Sequence, residues 1–126
     1  MRLTICLTAA VALTASSTPA DAKSAPFQIN ETTWSFVEHG KKVRETIDKD
    51  GNYIENAVSG KHIDHGTAVM KGGKVCFTSA MNNEGEMCWT APRTTLKIGQ
   101  SFVAKSDKGQ KLRVTRIKYT VLKMPS

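Results

Sequence analysis

The sequence predicts an all-β protein, a small antiparallel meander barrel of about eight strands carrying one disulfide. Short runs of alternating character recur from Glu31 onward at roughly 8 to 12 residue spacing, each closed by a turn signal, as in sandwiches and barrels. In Lys74–Thr90, an antiparallel pairing that sets Cys76 against Cys88 also sets Val75 against Trp89 and Phe77 against Met87. One face of that hairpin is then apolar, and the other carries the cysteines with Lys74, Thr78, Glu86 and Thr90. No segment sustains a helical period.

The chain opens on a leader. Met1-Arg2 is basic, Leu3–Ala15 is apolar but short for a membrane anchor, and Ala20-Asp21-Ala22 is an A-x-A site. The expected organisation is a cleaved signal peptide at 1–22, an N-terminal arm at 23–30 and a single barrel domain at 31–126. The mature protein is then periplasmic or secreted and does not span the membrane. Cys6 goes with the leader, leaving Cys76 and Cys88 in an oxidising compartment, where one structural disulfide is expected. Closing a loop of that size is worth roughly 3 kcal/mol. A thiol catalyst or zinc site is disfavoured, because C-x-x-C is absent and the spacing suits no zinc finger.

Within the domain the first strand covers Thr32–Glu38, with Trp34 and Phe36 on one face. Gly40-Lys41 reads as a two-residue type II′ turn that places Trp34 opposite Ile47. The second strand, Val43–Ile47, ends at Asp48-Lys49-Asp50-Gly51. Asn52–Val58 follows, with Tyr53 and Ala57 inward, and then a strand from Ile63 to Met70 after Ser59-Gly60-Lys61. Gly72-Gly73 turns the chain so that Met70 meets Val75 and Ala68 meets Phe77, on the apolar face of the central hairpin. Beyond Pro92, Leu96–Gly99 reads as a short connection or partial strand.

Ser101–Ser106 and the three-residue loop Asp107-Lys108-Gly109 set Phe102 against Val114 and Ala104 against Leu112. The last strand is expected to run from Gln110 to about Leu122. Its inward parity changes between Val114 and Ile117, which predicts a bulge near Thr115-Arg116. A strand longer than its partner needs a second neighbour, and the first strand would close the sheet.

Thr33-Trp34, Asp50-Gly51-Asn52-Tyr53, Gly66-Thr67-Ala68, Lys74–Phe77 and Glu86–Trp89 together resemble a group of small exported bacterial proteins. That group has a D-G-x-Y turn and strand, a G-T-W strand and two cysteines ending in C-W, and is similar to lipocalin-like β-meanders. The resemblance covers about Thr33–Thr90 and implies the fold and export. Ala68 stands where the group carries Trp, which implies either a cavity there or a larger neighbour filling the space.

Chemistry-bearing signals are few. His62-Ile63-Asp64-His65 holds ligand-type side chains, but in a regular strand His62 and Asp64 share one face and His65 takes the other, so no metal site is expected. Serine-nucleophile motifs, phosphate-binding glycine loops and paired carboxylates in an apolar run are not evident, so the reading is non-enzymatic and without cofactor.

The formal net charge is +7, and between Arg93 and Lys123 nine Lys or Arg stand against Asp107 alone. Lys111, Arg113, Arg116, Lys118 and Tyr119 are the candidate binding residues of this basic stretch. The expected function is an exported binding module whose basic C-terminal strand meets an anionic envelope partner such as lipopolysaccharide or anionic phospholipid. Too few aromatics are interleaved for a nucleic-acid partner. Two alternatives are a protease inhibitor acting on a protein partner through the 23–30 arm, and a carrier of a small apolar ligand inside the barrel.

Overall fold

The computed structural model describes residues 25–124, so the leader and the first two residues of the arm lie outside them. Eight strands follow one another: β1 Thr32–Glu38, β2 Lys41–Ile47, β3 Asn52–Ala57, β4 His62–Lys71, β5 Lys74–Ser79, β6 Glu86–Thr90, β7 Ser101–Lys105 and β8 Lys111–Ile117. They form one antiparallel sheet ordered β6-β5-β4-β3-β2-β1-β8-β7, rolled into a nearly closed barrel. Among the described residues no helix is long and apolar enough to cross a membrane.

The central hairpin has the expected register, with Cys76 opposite Cys88, Val75 opposite Trp89 and Phe77 opposite Met87. The Cys76 and Cys88 sulfurs are bonded at 2.07 Å. Gly72-Gly73 pairs Met70 with Val75 and Ala68 with Phe77, and β7–β8 pairs Phe102 with Val114 and Ala104 with Leu112.

The first hairpin differs from expectation by two residues. Its loop is His39-Gly40, both with positive φ (49° and 73°), and Glu38 faces Lys41. Two left-handed residues make a type I′ turn, whose twist suits the flanking strands. Trp34 therefore lies opposite Glu45 and not Ile47, while the inward parity of both strands is unchanged. At the next turn the Asp48 carboxylate accepts from the Asp50 amide at 2.8 Å and the Asn52 amide at 2.9 Å. Desolvation pushes its pKa up, but these bonds outweigh it and hold the group below the usual carboxylate range.

The expected bulge at Thr115-Arg116 is absent. β8 pairs regularly with both neighbours and ends at Ile117. The change of parity arises because the chain then leaves the sheet and lies against β1 and β2. There the Thr33 and Thr46 hydroxyls donate to the Thr120 carbonyl at 3.2 and 2.6 Å, and the Thr120 amide donates back to Thr33 at 2.8 Å. Both threonines are buried, so without this tail their hydroxyls would lose partners. The register shift occurs instead between Glu55 and Asn56, where β3 meets β4.

β1 pairs with β8 as expected, and the thin seam falls between β6 and β7. It is crossed by an isolated bridge between Trp89 and Ser106 and by hydrogen bonds from the Asp107 amide to the Cys88 carbonyl (3.0 Å) and from the Lys105 amide to Thr90 Oγ1 (2.9 Å). The arm also takes part in the barrel. Pro26 bridges to Thr94, the Phe27 amide donates to the Arg93 carbonyl at 3.4 Å, and Phe27 and Ile29 are buried.

Phe27 and Ile29 join Trp34, Ile47, Tyr53, Ala68 and Val75 in a core cluster at one end of the barrel. The Trp34 indole N–H donates to Thr32 Oγ1 at 2.8 Å, and the Thr32 hydroxyl donates in turn to the Ile29 carbonyl. This chain fixes the orientation of the arm and the ring together. Ala68 is packed within the cluster, so its small side chain creates no cavity of its own.

Gly66 marks the closest approach of two strands. A Cβ there would lie 2.0 Å from the Thr78 carbonyl oxygen, a backbone atom with no freedom to move aside. Gly66→Ala is expected to destabilise the barrel by roughly 3 kcal/mol or more. Urea unfolding of the two proteins measures this, and an unchanged midpoint would show that the strands can separate freely at that point.

Candidate binding site

Strand parity sends Trp34, Phe36 and Glu38 of β1 inward, with Glu45 of β2, Tyr53 and Glu55 of β3 and Asp64 of β4. The side chains at the closed end meet, but those higher up do not. They leave a hollow of about 730 Å³ that opens where the β1–β2, β3–β4, β5–β6 and β7–β8 connections gather. That volume lies within the range of small-molecule sites.

The floor is aromatic. Trp34 stands 5.8 Å from Phe27 and 5.9 Å from Phe102, ring centre to ring centre, the second contact edge-on. Tyr53 and Phe77 make another edge-on pair at 5.2 Å. Phe36, Trp89, Leu112 and Val114 continue the apolar lining, and Met81, Asn82, Glu84 and Lys108 stand among the mouth residues.

One wall is acidic. Glu45 and Glu55 are direct cross-strand partners, and each is flanked along its own strand by buried apolar residues, Val43 and Ile47 for Glu45, Tyr53 and Ala57 for Glu55. Burial raises both pKa values, and the nearby charges of Glu38 and Asp64 raise them further. The Glu55 charge is the largest of the neighbouring effects on Glu45, whose carboxyl is held well above its usual range; Glu55 is raised to about 7.

Asp64 differs because donors surround it. Its carboxylate accepts from Tyr53 Oη (2.7 Å), Ser79 Oγ (2.5 Å) and the His65 amide (2.9 Å). The Tyr53 phenol is raised well above its ordinary pKa, first by burial and then by its bond to Asp64.

The glutamate pair corrects the expectation that no two carboxylates share an apolar run. The run is not in one segment but across β2 and β3. The signal was the parity of Glu45 with Val43 and Ile47 and of Glu55 with Tyr53 and Ala57.

The histidines also lie differently from a regular strand. The Glu55/Asn56 register shift brings His62 and His65 together, Nε2 to Nδ1 at 3.0 Å, with His62 Nδ1 2.7 Å from Asn56 Oδ1. Asp64 meanwhile faces the hollow. Among the described residues, ligating atoms of three or more His, Cys, Asp or Glu converge only at Cys76, Glu86 and Cys88, whose sulfurs are joined in the disulfide.

The basic candidates do not form one surface. Lys111 and Arg113 are exposed on β8, beside Lys105 and Val103 of β7. Arg116 is half-buried and donates from Nη1 to the Leu96 carbonyl at 2.7 Å. Lys118 and Tyr119 are exposed but lie past the end of the strand.

Raised carboxyl pKa values make stability depend on pH in a defined sense. Between the ordinary 4.5 and about 7 the folded protein holds the Glu55 proton while the unfolded chain has released it, so stability falls as pH rises through this window. At pH 8 the accumulated loss is up to roughly 3 kcal/mol. Glu55→Gln is therefore expected to raise Tm at pH 8, by about 4–8 °C per kcal/mol recovered, with little change at pH 4. Parallel melting curves for the two proteins across that range would contradict the burial of this carboxyl. Comparison with protein-family models, curated proteins and solved structures finds no match for this chain.

Proposed function

We propose that this protein is an exported carrier that holds a small, largely apolar molecule inside its barrel. The observation that carries the reading is the 730 Å³ hollow above an aromatic floor. Binding there gains from apolar burial and ring contacts while a few polar groups set orientation. Among the described residues no histidine or cysteine lines the hollow, and the Tyr53 and Ser79 hydroxyls are engaged with Asp64, which favours holding a ligand over transforming it. Export rests on the leader pattern and the disulfide. The nearly closed antiparallel meander is consistent with the lipocalin-like group that the sequence resembles.

N-phenylnaphthylamine, a neutral apolar fluorophore, is expected to bind saturably at one site and to accept energy from tryptophan. Leu112→Trp, which fills the hollow from β8, should weaken that binding about tenfold or more with the barrel still folded. No saturable emission from the wild type would end the carrier reading.

Contact with an anionic envelope surface is a second reading, favoured by the outward row of Lys105, Lys111 and Arg113. Its affinity for anionic vesicles should fall steeply between low and physiological salt and should drop on changing Lys111 and Arg113 together to Gln. Absence of binding at low salt would remove it. Inhibition by a free arm has no such support, because Phe27 and Ile29 are core residues.

A further inference from the structure

Resting on the carrier reading, we propose that the hollow selects a cationic ligand, a compact apolar body bearing one protonated amine that meets the Glu45–Glu55 pair. The charge inventory of the interior is one-sided. Glu45 and Glu55 face Glu38 on β1 and Asp64 on β4, with Glu84 nearer the mouth, while Glu86, on the cysteine face of β6, is ion-paired with Lys71 at 2.6 Å. Lys108, in the β7–β8 loop, is the only cation among the described residues that line the hollow. Asp64 already accepts from three donors, whereas neither Glu45 nor Glu55 receives a hydrogen bond from any amide, hydroxyl or cation of the described residues. Each carboxyl is instead the direct cross-strand neighbour of the other.

Such a pair, set between buried apolar side chains, holds its charge at a cost that an incoming cation would relieve. The aromatic floor below favours a positively charged group with an apolar body, because ring faces attract cations and bury hydrocarbon. The interior carboxylates do not converge on a point as metal ligands would, which favours an extended organic cation over a bare divalent ion. Binding should be linked to pH, because the carboxyls must release their proton to receive the ammonium group. Affinity for an amine then rises with pH through the window in which Glu55 ionises.

Three probes that share one ring system separate charge from shape: naphthylmethylamine, naphthylmethanol and naphthoic acid, titrated calorimetrically at pH 5.5 and pH 8. At pH 8 the amine is expected to bind at least about tenfold more tightly than the alcohol, and the acid not at all. At pH 5.5 the preference for amine over alcohol should shrink to about threefold or less. The double variant Glu45→Gln, Glu55→Gln should retain alcohol binding and lose the amine preference at pH 8. Equal affinity of the wild type for amine and alcohol at pH 8, or an unchanged preference in the double variant, would overturn the cationic selectivity and leave the carrier reading standing. Failure of all three probes and of N-phenylnaphthylamine would overturn both.

Discussion

Three residue pairs join β1 to β8, Thr33 with Ile117, Trp34 with Arg116 and Ser35 with Thr115, and this contact turns a meander sheet into a tube. Every other strand pairing links neighbours in sequence, so each hairpin can form locally. The β1–β8 contact alone spans nearly the whole domain and carries a larger loop-closure cost. Its position also decides where the barrel is weakest. The remaining edges, β6 and β7, meet through a few bonds, and the Cys76–Cys88 disulfide lies on the strand next to that seam and its neighbour. A covalent link there ties the edge strand β6 to β5, its one full sheet partner.

Both chain ends are used to complete the barrel. The arm supplies Phe27 and Ile29 to the closed end, and the C-terminal segment covers two buried threonines on the outer surface. Neither is a strand, and both solve a problem the strands leave open. The floor needs apolar volume that short strands cannot provide, and Thr33 and Thr46 need acceptors once they are removed from water. With the floor packed and the opposite end wide, the interior divides into a filled half and a hollow half. The glutamate pair lies in the wall of the hollow half, where burial and the neighbouring carboxylates make its charge costly.

Much of the fold was legible in the sequence because turn chemistry and parity are local. Gly72-Gly73 and Asp107-Lys108-Gly109 set two registers correctly, and the cysteine pairing agreed with the apolar face around it. The first turn falls one residue earlier than the glycine position suggests, because His39 adopts a left-handed conformation uncommon outside glycine. The strand pattern runs past the true end of β8 because Tyr119 and Val121 continue a plausible alternation after the chain has left the sheet. The inward glutamates were legible in principle. Their parity was already implied by Val43, Ile47, Tyr53 and Ala57, but charge argues for an outward position unless the space within is known.

Local pattern alone sets the succession of strands, the hairpin registers around the cysteines and the inward sense of the apolar residues in the regular strands, because these follow from a two-residue period and from turn residues. Packing between strands distant in the chain leaves the barrel hollow on one side and sets Glu45 against Glu55 within it. It also divides the basic residues between surface and structural tasks. Those outcomes depend on how strands far apart in the chain share volume, and no local pattern records whether the space between them is filled.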